Sequence, residues 1–354
     1  MRQPRIEWDI LILLLCMFGF SLAIIWSVNP TYFTSQLAFF LTGIIIFFIF
    51  RAIRADIYQK VGILFYAISV ILLIITLLSP DVRGSSRWIF FGDYRIQPSE
   101  IIKPFLIVSY ASFLVNKKSG VLNSFAIFLL LLIPLILIFL QPDLGSAIIY
   151  FAFSFAMIFA NGLPLSAIAV SVVFGLIGSP FIWHILKDYQ RQRILNFLSP
   201  NSDPQGAGYN AIQAMIAVGS GKLFGQGLGR GSQSHLRFLP ENHTDFVFAS
   251  LVEEFGFLGS TLVLVFYSYL FYRLLRLMIQ TQDRFTYLVI VGVFMQIFTQ
   301  FFVNIAMNIG LIPITGVTLP LISAGGSSII ATLISLGIVF SLSKNKKHTP
   351  LVIG

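Results

Sequence analysis

The sequence is short of charge, cysteine and histidine, and each shortage removes a class of function. Only 10% of its 354 residues are Asp, Glu, Lys or Arg, while 57% are hydrophobic. Soluble globular proteins carry roughly 25% charged residues. No water-soluble core of this length needs so much apolar side chain, so lipid is the solvent for much of the chain. A single cysteine, Cys16, excludes a disulfide framework and a thiolate metal site, and reads as a small buried hydrophobe in the first apolar run. The four histidines (His184, His235, His243 and His348) form neither an HExxH motif nor an i,i+4 pair, so a three-histidine zinc site is not expected. A nucleotide motif is missing too. The stretch "LFGQGLGRGSQS", with Gly225, Gly227, Gly229 and Gly231, has no Walker Lys-Ser/Thr and no strand context, and reads as a flexible loop or re-entrant turn. Energy for any reaction must then come from the substrate. No internal repeat, soluble domain or cleavable signal peptide is evident.

What the chain has is long apolar runs. They fall near residues 9–28, 33–51, 61–79, 98–116, 121–140, 144–161, 164–186, 245–272, 285–308 and 325–343, most close to the roughly 20 residues that span a bilayer. Breakers such as Asn29-Pro30, Ser79-Pro80 and Gln141-Pro142 separate them. The expectation is an all-α membrane protein of about ten transmembrane helices, one domain over 1–354. With the N-terminus inside, Arg51, Arg54, Lys60, Arg273, Arg276, Arg284 and Lys344 gather on the cytoplasmic side, as the positive-inside rule asks. Both termini are then cytoplasmic, and one long extracytoplasmic loop, about 187–244, joins helices 7 and 8. The net charge of +9 therefore sits mostly beside helix ends and marks no nucleic-acid partner.

The exceptions to the charge rule are informative. Arg83, Arg87 and Arg95 lie in a short outer segment, and Lys187, Arg191, Arg193, Lys222, Arg230 and Arg237 in the long outer loop. Cations kept there point to a bound anion, or else to pairing with Asp81, Asp93, Asp188, Asp203 or lipid headgroups. In "QPSEIIKP", Glu100 and Lys103 share a helix face and can pair. The pair either closes the bundle or lends the charge of Lys103 to an anion. In "HTDF", Asp245 either caps helix 8 or stands at the rim of a membrane cavity as a general base. Burial would raise its pKa and the helix terminus would lower it. Glu253 and Glu254 lie about 12–14 Å farther along that helix at 1.5 Å per residue. Adjacent residues diverge, so the two serve as buried structural hydrogen-bonding groups or as a proton or ion relay.

Six segments resemble one family in order along nearly the whole chain: "GSSRWI" (84–89), "QPSEIIKP" (97–104), "QPDLGSA" (141–147), "DYQRQRILNFLSP…DPQGAGYNAIQ" (188–213), "FLPENHTDFVFASLVEEFGFLG" (238–259) and "ITGVTLPLISAGGSS" (314–328). They resemble the SEDS proteins (shape, elongation, division and sporulation), the RodA branch more than the FtsW branch. Ala324 departs from the Tyr common before "GGSS", and the connection from Pro80 to Trp88 is short.

The resemblance implies a peptidoglycan glycosyltransferase in the cytoplasmic membrane. Its substrate would be lipid II, a disaccharide-pentapeptide on undecaprenyl diphosphate, and its partner a class B penicillin-binding protein. It implies that Asp245 is the essential carboxylate and that Arg87, Trp88, Glu100 and Lys103 belong to the cavity. Arg191, Arg193 and Thr244 are further substrate-side candidates, with Asp143, Glu241, His243, Glu253 and Glu254 in support. The expected chemistry is one inverting displacement with Asp245 as base. Cations stand on the leaving diphosphate, a divalent ion (Mg or Mn) among the candidates, and no nucleotide is used. A lipid II flippase and a non-catalytic scaffold are the other function classes.

Overall fold

A computed structural model describes residues 8–80, 86–91, 94–116, 121–162, 178, 183–184, 186–199, 207–236 and 238–344. Helices α1 (Trp8–Val28) and α2 (Phe33–Ala52) are joined by a 3-10 turn, Pro30–Tyr32. Helices α3 (Ala55–Lys60) and α4 (Gly62–Leu77) precede an antiparallel hairpin, β1 (Ile89–Phe91) and β2 (Tyr94–Ile96), in which Ile89 faces Ile96. Then come α5 (Pro98–Ile101), α6 (Lys103–Asn116), α7 (Val121–Leu140) and α8 (Leu144–Ala160). The long connection contributes α9 (Asp188–Leu198), α10 (Ala207–Ser220) and α11 (Ser232–His235). Last are α12 (Val247–Gln280), α13 (Arg284–Asn308) and α14 (Gly326–Ser343).

Five helical segments are long and apolar enough to cross a membrane among the described residues: α1, Pro30–Ala52, α12, α13 and α14. Shorter apolar helices lie within α4, α6, α7 and α8. Each expected span except the seventh falls on described helix, 98–116 on α5 and α6 together; the seventh, 164–186, lies outside the described residues but for Gly178, Trp183, His184 and Leu186. Helix α13 is the hub and packs against α6, α8, α12 and α14. The most extensive helix pair is α2 with α14. There Gly43 faces Leu333, and Gly337 faces the backbone at Phe47. Small residues let two helices approach where lipid supplies no hydrophobic drive for association.

Two expectations gain detail and two need correction. Among the described residues a single two-stranded hairpin stands in the connection between α4 and α5 of a mostly helical chain. The connection over 187–244 carries α9, α10 and α11. Cys16 is exposed rather than buried, because α1 turns that side away from the bundle. Helix 8 is not one continuous span. At 34 residues, α12 would run about 51 Å at 1.5 Å per residue, against a hydrocarbon core of about 30 Å. It breaks at Gly256 (φ 67, ψ −163), and the residues from Phe257 to Gln280 suffice to span.

The break is filled from the loop after α10. Phe257 N–H donates to Lys222 O (2.9 Å) and Leu258 N–H to Leu223 O (3.2 Å), while Gln226 N–H reaches Glu253 O (2.8 Å) and Gly227 N–H reaches Glu254 O (3.0 Å). Backbone groups that the break frees are thus re-paired, as a low-dielectric surround demands. The glycine-rich stretch is therefore a fixed turn laid along α12. Gly256 alone fits the break, since a Cβ there would strike Gly225 N and Leu223 O. Gly256→Ala should cost roughly 2 kcal/mol or more, read as a lowered thermal midpoint of the detergent-solubilised protein. An unchanged midpoint would show that the break is not a constraint.

Candidate active site

The hairpin, the start of α8, helix α9, the turn before α12 and the loop before α14 meet around a cavity of ≈ 480 Å³. Its wall carries Arg87, Trp88, Arg95 and Gln97 from the hairpin region, Glu100 from α5, and Asp143 and Ser146 from the start of α8. Tyr189 and Arg193 come from α9, Glu241, Thr244 and Asp245 from the turn, and Gly316 to Thr318 and Ala324 to Ser328 from the last loop.

The turn holding Asp245 is built by its backbone. Thr244 N–H and Phe246 N–H both donate to Glu241 O (3.2 and 3.3 Å). Glu241 takes the left-handed φ of 51 that this double bond needs. Phe246 is buried with Ala214, Ala217, Leu239 and Ala249, anchoring the turn to α10. On the far side, Ala324 N–H donates to His243 O (2.8 Å) and Ser323 Oγ to Thr244 O (2.6 Å). The capping position of α12 is Phe246, with no side-chain cap, so the Asp245 carboxylate is not spent on the helix end. It is half-buried and faces the cavity. Gly316, at φ +75, lies so close that a Cβ would stand 3.4 Å from Asp245 Oδ2.

The cations divide into two groups. Arg193 lies over the Tyr189 ring, 5.6 Å from its centroid, and donates to Ile314 O (3.2 Å). Burial lowers its pKa first, with the charge of Asp245 opposing that shift. Arg87 donates to Tyr189 Oη (2.9 Å) and to the carbonyls of Gln141 and Pro142, and approaches Asp143 at 3.9 Å. Arg191 is different. Its side chain holds Trp183 O (2.9 Å) and His184 O (2.7 Å), pairs with Asp188 at 3.8 Å, and does not line the cavity. The same correction applies to Lys103, which is fully buried, bonds to Glu100 Oε1 and does not line the cavity. Glu100 stands at the cavity and is also held by Gln300 Nε2 (3.3 Å).

The supporting candidates resolve individually. Asp143 caps α8 through Ser146 N–H (3.1 Å) and accepts from Gln97 Nε2 (3.0 Å), so it is both a helix cap and part of the wall. Trp88, Thr244 and Glu241 line the cavity. His243 is buried, stacks on Tyr32 at 4.2 Å and lies off the wall. Burial lowers its pKa and favours the neutral ring. Glu253 accepts from Gln233 N–H (2.8 Å), Ser234 N–H (3.0 Å) and Ser234 Oγ (2.6 Å). Glu254 Oε1 meets Ser27 Oγ (2.8 Å) and His235 Nε2 (2.7 Å). Adjacent as they are, both grip the α11 region, because the loop wraps the helix there. Arg83 and Arg237 lie outside the described residues. The loop residues Gly316 and Ser323 were not foreseen, since neither carries a charge or a recognisable ligand.

Comparison with known proteins places the chain. The profile of the FtsW, RodA and SpoVE cell cycle proteins matches residues 5–348. The chain belongs to this family, the SEDS proteins. The peptidoglycan glycosyltransferase MrdB of Escherichia coli (strain K12) is 36% identical over 353 residues, covering 98% of this chain and 95% of MrdB. Stage V sporulation protein E of Bacillus subtilis (strain 168) is 38% identical over 286 residues, covering 78% of this chain and 77% of its own length. Among solved structures, a chain of a peptidoglycan synthase complex that coordinates polymerization and crosslinking superposes with TM-score 0.84 at 27% identity, covering 98% of this chain and 100% of that one. Thermus thermophilus rod shape determining protein RodA superposes with TM-score 0.74 at 25% identity, covering 98% and 99%.

The surroundings of Asp245 favour its protonated form. Burial pushes its pKa up to about 6, Glu241 adds to the rise, and Arg193 and Arg87 oppose it. A raised folded pKa means the fold prefers the protonated acid. That preference stabilises below the unfolded value and is lost as pH rises through about 6. Asp245→Asn, neutral throughout, should raise the thermal midpoint at about pH 7.5 and change it little at about pH 4.5. A fall at about pH 7.5 would show that the ionised carboxylate stabilises the turn, contrary to this environment.

Proposed function

We propose that this chain is a peptidoglycan glycosyltransferase that polymerises lipid II into glycan strands during cell elongation. The observation that carries the reading is that the Asp245 carboxylate and the guanidinium groups of Arg87 and Arg193 share one cavity wall. The name and near-complete coverage of MrdB support the activity. The synthase complex supports a crosslinking partner, a class B penicillin-binding protein. We place the chain in the cytoplasmic membrane with ten spans, both termini inside and the cavity on the extracytoplasmic side. The basic residues Arg51, Arg54, Lys60, Arg273, Arg276, Arg284 and Lys344, all remote from the cavity wall, support that orientation.

The reaction requires two things of the wall. The acceptor's sugar hydroxyl must lose a proton as it attacks the donor's anomeric carbon, and Asp245 is the base. With its pKa near 6, it is ionised at neutral pH yet more basic than an exposed carboxylate. The glycosidic oxygen leaves with the lipid diphosphate, whose charge needs fixed positive groups. Arg87 and Arg193 supply them, and the uncapped N-terminus of α14 faces the same space through Gly325 to Ser328. One displacement from the face opposite the leaving group inverts the anomeric centre. Among the described residues no three His, Cys, Asp or Glu side chains converge on a metal position. A Mg or Mn ion needs only one or two carboxylates beside the substrate's phosphates. It would be held by the acids of the cavity wall and would supply further positive charge to the leaving diphosphate. A transporter reading would draw on Glu253 and Glu254, but both are engaged in holding the outer loop.

Purified protein, with its transpeptidase partner and lipid II, tests the proposal on a glycan ladder gel. Asp245→Asn should give no ladder, and the wild-type rate should fall as pH drops through about 6. Arg193→Ala should lose about 10²-fold or more in turnover. Arg191→Ala, whose side chain is turned away, should stay within about threefold. A full ladder from Asp245→Asn, or no ladder from wild type under any divalent-cation condition, would end this reading.

A further inference from the structure

Two asparagines on the hub helix stand directly behind the candidate base. Asn304 and Asn308, both fully buried, lie one turn apart on α13. Asn304 Nδ2 and Asn308 Nδ2 each donate to the backbone oxygen of Asp245 at 3.0 Å. Asn308 Oδ1 accepts from Ala249 N–H at 3.0 Å. In a continuous helix, Ala249 N–H would bond to Asp245 O directly. The Asn308 side-chain amide is inserted between the two groups, giving a donor to the carbonyl and an acceptor to the amide. It replaces one helical hydrogen bond with two, so α12 cannot wind back through Asp245. Asn304 Nδ2 also donates to Val317 O (2.7 Å), beside Gly316.

We infer that Asn304 and Asn308 are positioning residues for Asp245, holding its backbone oxygen so that the carboxylate is presented to the cavity instead of being absorbed into the first turn of α12. The inference rests on Asp245 being the base. Neither asparagine lines the cavity, so both act through Asp245 rather than on substrate. A buried amide in an apolar helix is expensive unless every partner is present. Here the partners are the residues that set the geometry of one carboxylate. Helix α13 also sends Gln300 to Glu100, so the hub supports two acids of the same wall.

The test compares Asn304→Ala, Asn308→Ala and Asp245→Asn in the purified complex with lipid II. Each asparagine variant should lower kcat about 10- to 100-fold, as displacement of a catalytic group does, with KM for lipid II within about threefold. Each should also displace the acid limb of the pH–rate profile from its wild-type position, because the carboxylate shifts relative to Arg193 and Glu241. A purely structural role would lower the yield of active protein and leave the limb in place. If Asn308→Ala gives no monodisperse protein, Asn308→Asp carries the test, keeping the shape and the acceptor for Ala249 N–H while losing the donor. Wild-type kcat and pH profile in the asparagine variants, with Asp245→Asn inactive, would overturn this inference alone. Activity retained by Asp245→Asn would overturn the reading beneath it.

Discussion

A carboxylate at the edge of a bilayer is caught between two demands. Removing water makes it a better base, because the ionised form loses solvation. The same loss makes it reluctant to ionise at all, and with no opposing charge it would stay protonated and idle. The site answers with a partial balance. Burial and Glu241 push the Asp245 pKa upward, while Arg193 and Arg87 pull it back to about 6. The same arginines are the groups a leaving diphosphate would require. Under the proposed reaction, base strength and leaving-group stabilisation are coupled through these shared side chains.

That balance demands a turn fixed to a fraction of an ångström, and the fold spends its buried polar side chains on it. Consecutive carbonyls of the turn are each held from another element: His243 O by Ala324 N–H, Thr244 O by Ser323 Oγ, and Asp245 O by the two asparagines. The α13 side of the grip comes from the helix that packs against α6, α8, α12 and α14. The connection carrying α11 makes a second, separate fastening. Glu253 caps the amides at α11 and Glu254 ties His235 to Ser27 of α1. The break at Gly256 lets the loop backbone reach α12. Asp245 in the turn before α12 and the Glu253–Glu254 pair within it thus stand in different surroundings, one at the cavity and the other in the scaffold.

The membrane architecture was legible because lipid leaves so few choices. Spanning segments must be apolar over a fixed length, and breakers must lie between them, so the expected runs other than 164–186 fall on described helices. Arg87 and Arg193 stood out as cations on the face that the positive-inside rule depletes, and Asp245 was singled out by the family resemblance, its own segment leaving a helix cap open; their shared cavity follows from packing that no local pattern encodes. The α12 break was hidden because apolar content on both sides of Gly256 is helix-like. Only the loop's backbone, arriving from some thirty residues earlier, fills the gap. Lys103 and Arg191 illustrate the converse. Charge and position nominated both, but charge does not reveal direction, and one side chain turns into the bundle while the other turns to its own loop.

Asn304 and Asn308 carry a sequence signal: two buried amides four residues apart, continuing the row begun by Gln296 and Gln300 on one face of α13. Such a pair is costly in hydrocarbon and must answer to something. What the sequence could not show was the partner, because the hydrogen bonds go to a backbone carbonyl, which every residue possesses. Functional residues of this kind act through main-chain groups and leave no mark at the position they control. Their chemistry is also hard to replace. Serine could supply a donor to Asp245 O but not at the same moment an acceptor for Ala249 N–H at the required separation, whereas a primary amide has both, set apart as in a peptide. An amide in the wall of this bundle is thus the side chain best able to interrupt a helix without leaving its ends unpaired.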